Sequence, residues 1–370
     1  MNWSKQFPED IFLTELKELV LQESPSSNKK AVDTLGEYIK EKLQMFGCEV
    51  EEIIQEKSGN QLIATLGHSD SCLLVLSHFD TVKPIGGLKI EPYRNEGTRI
   101  YGPGVFDMKA GVAMILTALY QLKEMNKHPQ KKIHFFFNSD EEIGSPSSRQ
   151  LIEDYAKRAE YALVLEPPSG EKIKTSRKGG GELHLRVHGK SVHAGNYHAK
   201  GINSIGELSQ LIVELHSWTD YEKGTTLSAG KIKGGTATNV VPDYAEVIFD
   251  VRFNTLDEME RVKEKVSQLT VKKGSLEYEW SYLTPPLEFH KGTETLFERA
   301  KKEALKEGFE LDHTHAGGTS DGNFASLAGI PVLDGLGAKG DGAHAIGEYI
   351  EMADLAKRYA LFMRLLLLDS

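Results

Sequence analysis

Cysteine is nearly missing from this chain: Cys48 and Cys72 are the two examples in 370 residues. They could close one disulfide at most, so a disulfide-stapled fold is excluded and two buried thiols in a reducing compartment are expected. Positive charge is also scarce. Lys and Arg number 44 against 54 Asp and Glu, a formal charge of −10, which argues against nucleic acid or an anionic membrane as partner. No uninterrupted apolar run approaches the ~18 residues of a membrane span. The amino-terminal Met1-Asn-Trp-Ser-Lys-Gln lacks a basic segment followed by an apolar one, so no secretory leader is expected and the chain reads as cytoplasmic. Repeats and low-complexity tracts are missing too. What is present, 39% hydrophobic and 26% charged residues, suits two or three globular domains of roughly 150 residues each.

Apolar residues at Val32, Leu35, Ile39 and Leu43 fall at helical spacing, with Gly47 suited to the carboxyl-terminal cap. Short β-rich runs at 49–54, 73–76, 133–137 and 162–165 then alternate with helical ones, notably 109–125. Strands that are apolar throughout, set between helices, predict an α/β domain with a mostly parallel sheet covered on both faces. The pattern changes near Ile173. Alternating strands at 182–187, 244–252 and 275–282, with helices at 204–216 and around Met259, Val262 and Val266, predict an α+β domain spanning 174–287, inserted into a first domain made of 1–173 and 288–370.

Four polar clusters follow apolar strands or open helices, where ligand sites gather in an open α/β sheet. His78 and Asp80 end one strand; two apart, they can face the same way, with Asp80 bonding one ring nitrogen and fixing the tautomer of the other. Read alone, the pair is equally a surface contact at a strand end. Asp140-Glu141-Glu142 follows the apolar Phe135-Phe-Phe, where three like charges are costly unless cations balance them; isolated, it would be a solvated acidic turn. Glu166 could be a loop carboxylate, Asp107 an N-cap, and His344, in a glycine-rich stretch, an exposed loop residue. Gly102-Pro-Gly104 lacks the third glycine of a dinucleotide-binding turn.

Taken in order, the segments Ser77-His-Phe-Asp-Thr-Val82, Gly102-Pro-Gly-Val-Phe-Asp-Met-Lys-Ala-Gly111, Asp140-Glu-Glu-Ile-Gly-Ser145, Leu165-Glu-Pro167, Ser191-Val-His-Ala-Gly195, Asn239-Val-Val-Pro242, Asp250-Val-Arg252 and Gly317-Gly-Thr-Ser-Asp321 resemble the M20 family of dinuclear zinc peptidases and amidohydrolases. That group includes glutamate carboxypeptidase, acetylornithine deacetylase and succinyl-diaminopimelate desuccinylase. The resemblance implies a zinc-peptidase-like catalytic domain and an inserted ferredoxin-like lid that also forms a homodimer interface. By it, Asp107 bridges two Zn²⁺ ions, His78 and Glu166 complete one site, and Glu142 and His344 the other. Glu141 is then the general base, Asp80 stands behind His78, and His193 is the lid histidine that reaches a neighbouring subunit's site. Arg252, Asn239, Gly317, Gly318 and Thr319 become candidate substrate contacts, since a guanidinium grips a carboxylate with two parallel hydrogen bonds. The implied reaction is hydrolysis of an amide next to a free carboxylate in a small peptide or N-acyl amino acid. A carboxypeptidase is the first reading and an N-acyl amino acid deacylase the alternative. Co²⁺ or Mn²⁺ could occupy the same ligands. A non-catalytic, metal-stabilised binding protein should have lost Glu141 or a ligand, and none is missing. Two departures stand out: Ala110 replaces a common glycine, and segment 282–288 has no arginine. Glu166 is the choice seen in the family's carboxypeptidases and deacylases, where its aminopeptidases tend to aspartate.

Overall fold

A computed structural model of the chain describes residues 2–368. They form two compact units, one of residues 2–176, 289–316 and 320–368, the other of Arg177–Glu288 with Gly317–Thr319.

The first unit is built on a six-stranded sheet ordered Glu49–Ile53, Gln61–Leu66, Lys132–Asn138, Cys72–His78, Ala162–Val164, Val332–Leu333. The last four run parallel, and the first two pair antiparallel at one edge. That edge follows from chain length, because the connection 54–60 is too short for the crossover of a dozen or more residues that a parallel pairing needs. All seven residues of Cys72–His78 are buried, as expected of a strand covered on both faces. Its register sets His78 beside Asn138 and Leu76 beside Val164. The carboxyl ends of three neighbouring parallel strands are therefore level, and the polar residues after each emerge at one edge.

The helix Ala110–Glu124 lies in this unit's core with 12 of its 15 residues buried. Each buried Val, Leu, Ile or Met there contributes roughly 1.5–3 kcal/mol. The stretch Val105–Glu124 has the length and composition to cross a membrane, yet its most apolar window is 89% buried within the protein. Asp107, Lys109, Thr117 and Gln121 break its apolar run, and an all-round apolar helix in a core explains it. Gly111 lets this helix touch Leu165, the residue between the strand end Val164 and Glu166. A Cβ at Gly111 would sit 2.4 Å from the Leu165 carbonyl oxygen and 2.7 Å from Met108 Cε. Gly111→Ala is expected to cost about 1–3 kcal/mol through overpacking and to lower metal content by displacing Glu166; an unchanged urea midpoint would contradict the close fit.

A small antiparallel sheet, ordered Gly340–Asp341, Tyr349–Glu351, Arg99–Tyr101, Arg94–Asn95, has strands too short for alternation to reveal in sequence. Its pairing of Tyr349 with Tyr101 sets the loops after Tyr101 and before Tyr349 side by side.

The second unit runs strand Gly179–His188, helix Ser204–His216, strands Thr226–Gly234 and Tyr244–Phe253, helix Leu256–Ser267 and strand Ser275–Thr284. All sheet pairings are antiparallel, in the order Thr226–Gly234, Tyr244–Phe253, Gly179–His188, Ser275–Thr284, which is the ferredoxin-like βαββαβ arrangement. Leu183, Leu185, Val187, Val247, Phe249 and Val251 alternate inward to form a core with Leu208, Leu211, Leu215, Val262 and Val266 of the helices. Cys48 and Cys72 are free and buried, and burial pushes the Cys48 thiol up to about 12.

Candidate metal centre

The first unit gathers seven sequence-singled residues at the level strand ends. His78 closes its strand; Glu141 and Glu142 start a short turn, Glu141–Ile143, just past Asn138; Glu166 lies two residues beyond Val164. Asp107 sits in an irregular turn with non-helical φ/ψ, joined to Met108 by a cis peptide. The helix starts only at Ala110, with Lys109 at the capping position and no side-chain cap. Asp107 is thus not an N-cap, and its carboxylate is left for the site.

Two overlapping trios result: His78, Asp107 and Glu166, and Asp107, Glu142 and His344, each with ligand atoms within 4.8 Å of one another. Asp107 presents a different oxygen to each. Its Oδ1 lies 3.2 Å from His78 Nε2, and its Oδ2 lies 3.4 Å from His344 Nε2. Glu166 Oε1 is 3.3 Å from His78 Nε2, and Glu142 Oε2 is 3.0 Å from His344 Nε2. Glu141 belongs to neither trio; its Oε2 is 4.0 Å from His78 Nε2.

The donor set fits divalent cations. His78 Nδ1 faces the Asp80 backbone carbonyl at 3.1 Å, and Nε2 lies between oxygens of Asp107 and Glu166. A doubly protonated ring donates to those oxygens, whereas a neutral ring with its N–H on Nδ1 turns the Nε2 lone pair toward them and is suited to share a cation with them. The electrostatics agree. Burial, reinforced by the nearby Asp107 and Asp80 charges, pushes Glu142 up to about 8 despite the attraction of His78 and His344. Burial also holds Glu141 well above the usual carboxylate range, with repulsion from Glu166, Asp321 and Glu142 adding to it and His78 opposing. For Asp107, hydrogen bonds from His344 and His78 override burial and lower its value. The Asp107 hydrogen bond, stronger than the effect of burial, lifts His344 to about 9. A cluster this short of positive charge is suited to ions that carry it.

The supporting residues partly revise the sequence reading. Asp80, fully buried, approaches His78 Nδ1 with Oδ1 at 3.4 Å, but its carboxylate mainly accepts from elsewhere: the backbone N–H groups of Glu141 and Glu142 at 3.2 Å each and the Ser26 hydroxyl at 2.7 Å. It therefore ties the His78 strand end to the Glu141–Glu142 turn. Asp140 points away from the trios and accepts from Ser147 N–H, the Ser148 hydroxyl and the Gln61 amide. Buried Asp321 accepts from the Ser145 hydroxyl at 2.5 Å and the Asn138 amide at 2.7 Å, joining the residues that flank the same turn. Ser26 and Gln61 carry no motif signal and were not legible in sequence.

His193, Asn239, Arg252, Gly317, Gly318 and Thr319 all belong to the second unit. His193 is exposed, and its Nδ1 accepts from the N–H groups of Gly195 and Asn196 at 3.2 Å, which leaves Nε2 as an outward donor. Its strand pairs with Val240 and Val241, and the Asn239 carbonyl accepts from Ala194 N–H, so His193 and Asn239 are neighbours. Arg252 makes a two-pronged contact with Asp250, at 3.0 Å from Nε and 2.7 Å from Nη2. The carbonyls of Gly318 and Thr319 are gathered by Arg177 Nη1 at 3.2 and 3.4 Å.

Residues 74–368 match the family model described as peptidase family M20/M25/M40. The chain is 30% identical over 366 residues to carboxypeptidase G2 of Pseudomonas sp. (strain RS-16), covering 95% of this chain and 88% of that protein. It is 32% identical over 318 residues to succinyl-diaminopimelate desuccinylase of Acinetobacter baumannii (strain AYE), covering 80% and 83%. Its fold is shared with the crystal structure of aminopeptidase PepT from Bacillus cereus ATCC 10987, at a TM-score of 0.83 and 24% identity over 98% of each chain.

Proposed function

The chain belongs to peptidase family M20/M25/M40 and is a metallopeptidase or amidohydrolase, and on that premise we propose that it uses two Zn²⁺ ions to cleave an amide adjacent to a free carboxylate. The observation that carries this reading is Asp107, whose two oxygens each face a separate histidine. His78 and Glu166 complete one site, Glu142 and His344 the other. Imidazole and carboxylate donors suit zinc, with Co²⁺ and Mn²⁺ as substitutes. Bound there, the ions supply Lewis-acid polarisation of the scissile carbonyl and lower the pKa of the attacking water.

The chain's own groups do the rest. Glu141, outside both trios but beside them, takes the proton of the attacking water on a carboxylate oxygen and returns it to the leaving amine. The hydrogen bonds that the Glu141 and Glu142 N–H groups donate to the Asp80 carboxylate hold the Glu141 side chain in register with His78. His193, with Nε2 as donor, stabilises the developing oxyanion. Arg252, pre-aligned by Asp250, binds the substrate's free carboxylate, with Asn239 and the Gly317–Thr319 turn as further polar contacts.

A carboxypeptidase is the first reading, supported by the near full-length match to carboxypeptidase G2. The match to a desuccinylase supports N-acyl amino acid deacylation as the alternative. Zinc-loaded protein is to be incubated with a panel of dipeptides and N-acyl amino acids, and the freed amine identified by mass spectrometry. Chelator should abolish release, and added Zn²⁺ or Co²⁺ should restore it. Turnover that resists chelator would refute the proposal.

We further propose a homodimer through the second unit. Val213 on helix Ser204–His216 and Ile232 on the edge strand Thr226–Gly234 are 72% and 61% exposed, an apolar display that a second copy would cover. In such a dimer His193 serves the partner subunit's site. Mixing inactive His193→Ala and inactive Glu141→Gln chains should then restore partial activity, because one composite site in each mixed dimer is intact. No recovery in verified mixed dimers would rule out the action in trans.

A further inference from the structure

Glu348 ends the glycine-rich segment 337–348 and precedes the short strand Tyr349–Glu351. It is 1% exposed. Its carboxylate accepts three backbone N–H groups across the chain: Gly104 on Oε2 at 2.9 Å, and Phe106 and Asp107 on Oε1 at 2.9 and 3.0 Å. Its own carbonyl accepts from Gly102 N–H at 3.3 Å. The partners form the turn that presents Asp107, while Glu348 itself closes the loop that presents His344. Topology makes this meeting possible, because the two loops leave the paired strands Arg99–Tyr101 and Tyr349–Glu351 at the same end. Gly104 contributes by its backbone: at φ +69 a Cβ would lie 2.5 Å from Thr81 Cγ2, so the turn can pass there only with glycine.

His344 needs such fixing. It adopts φ +63, unfavourable for a side-chain-bearing residue, and its side chain is 54% exposed, whereas that of His78 is 1% exposed. On the loop's other flank Lys83 donates to the Ala345 carbonyl and Glu91 accepts from Gly347 N–H, with Lys83 and Glu91 themselves 3.1 Å apart. His78 and Glu166, in contrast, are held by the main sheet.

We propose that Glu348 is a positioning residue that locks the Asp107 turn to the His344 loop, so that the ion site made by Asp107, Glu142 and His344 depends on its carboxylate more than the other site does. This role presupposes the metal pair proposed above. E348Q preserves shape but turns an amide N–H₂ toward backbone N–H groups, at Gly104 or at Phe106 and Asp107. Two of the three ligands of one site then lose their anchor, against one of three in the other.

The test is stepwise Zn²⁺ titration of metal-free wild type, E348Q and E348D against a competing chromophoric chelator, with circular dichroism as the check on folding. The wild type should bind two equivalents. In E348Q the tighter ion should keep its affinity within about threefold, and the weaker one should lose roughly 10–100-fold, the usual effect of removing a group behind the ligands. E348D, which keeps the charge, should fall between. Equal weakening of both ions, as a general loss of structure would give, overturns the proposal, as does an unchanged second affinity. A wild type that binds no ion overturns the metal centre and this role with it. Should E348Q fail to fold, amide exchange on the metal-free wild type decides. Slow exchange at Gly104, Phe106 and Asp107, in step with residues 342–348, supports the lock, and fast exchange at those three overturns it.

Discussion

Glu141→Gln is expected to retain both metal ions and to lose about 10²–10⁴-fold in kcat, the range general acid–base catalysis supplies. The side chain belongs to neither ligand trio, so its removal as a base leaves the donors in place, and an isosteric amide keeps the turn packed. Its buried surroundings, with Glu166, Asp321 and Glu142 nearby, favour the protonated form, while His78 opposes them. A carboxyl balanced in this way can both accept and release a proton, whereas an amide can do neither. KM should change little, since the role proposed for Glu141 is to move a proton and not to bind substrate. Steady-state kinetics alongside metal analysis would check this. Full activity in the variant would mean that another group is the base.

Asp107→Asn is expected to do more damage to the metals themselves. This is the one residue shared by both trios, and its two oxygens lie 3.2 Å from His78 Nε2 and 3.4 Å from His344 Nε2. An amide offers one acceptor where two are used, and turns a donor toward one of the ions. Affinity at both sites should fall by at least the ~10–100-fold seen when mere outer-shell groups are changed, with zinc content dropping below one ion per chain after gel filtration. His344→Ala, by contrast, should cost mainly one ion. Two tightly held ions in Asp107→Asn would show that this carboxylate does not bridge.

Much of this site was legible before the fold was known, for a physical reason. A parallel strand buried on both faces is apolar through its middle, so the polar residues at and just past its carboxyl end mark the edge of the sheet; His78, the run from Asn138 to Glu142, and Glu166 are such residues. The helices Ser204–His216 and Ala110–Glu124 were equally plain from their periodicity or sustained apolarity. Other parts left no trace. Helix Glu9–Leu21 went unrecognised although Phe12, Leu16, Leu19 and Val20 are buried, and strands of two or three residues such as Arg94–Asn95 are too short to alternate. The antiparallel edge is decided by a short connection, not by residue type. Ser26, Asp321 and Glu348 act on backbone N–H groups or on side chains remote in sequence, and such partners become identifiable only once the chain has folded. Asp80 shows both sides. Its nearness to His78 followed from a spacing of two, but its hold on the Glu141–Glu142 turn, 61 and 62 positions away, did not.

Anomalous diffraction at the zinc absorption edge, from crystals of the zinc-loaded protein, tests the metal centre most directly. The expected map holds two peaks per chain, about 3.5–4 Å apart as in paired-ion hydrolases, one against His78 and Glu166, the other against Glu142 and His344, with an Asp107 oxygen on each. A map with no peak among these side chains, or with Asp107 touching neither ion, would contradict the account.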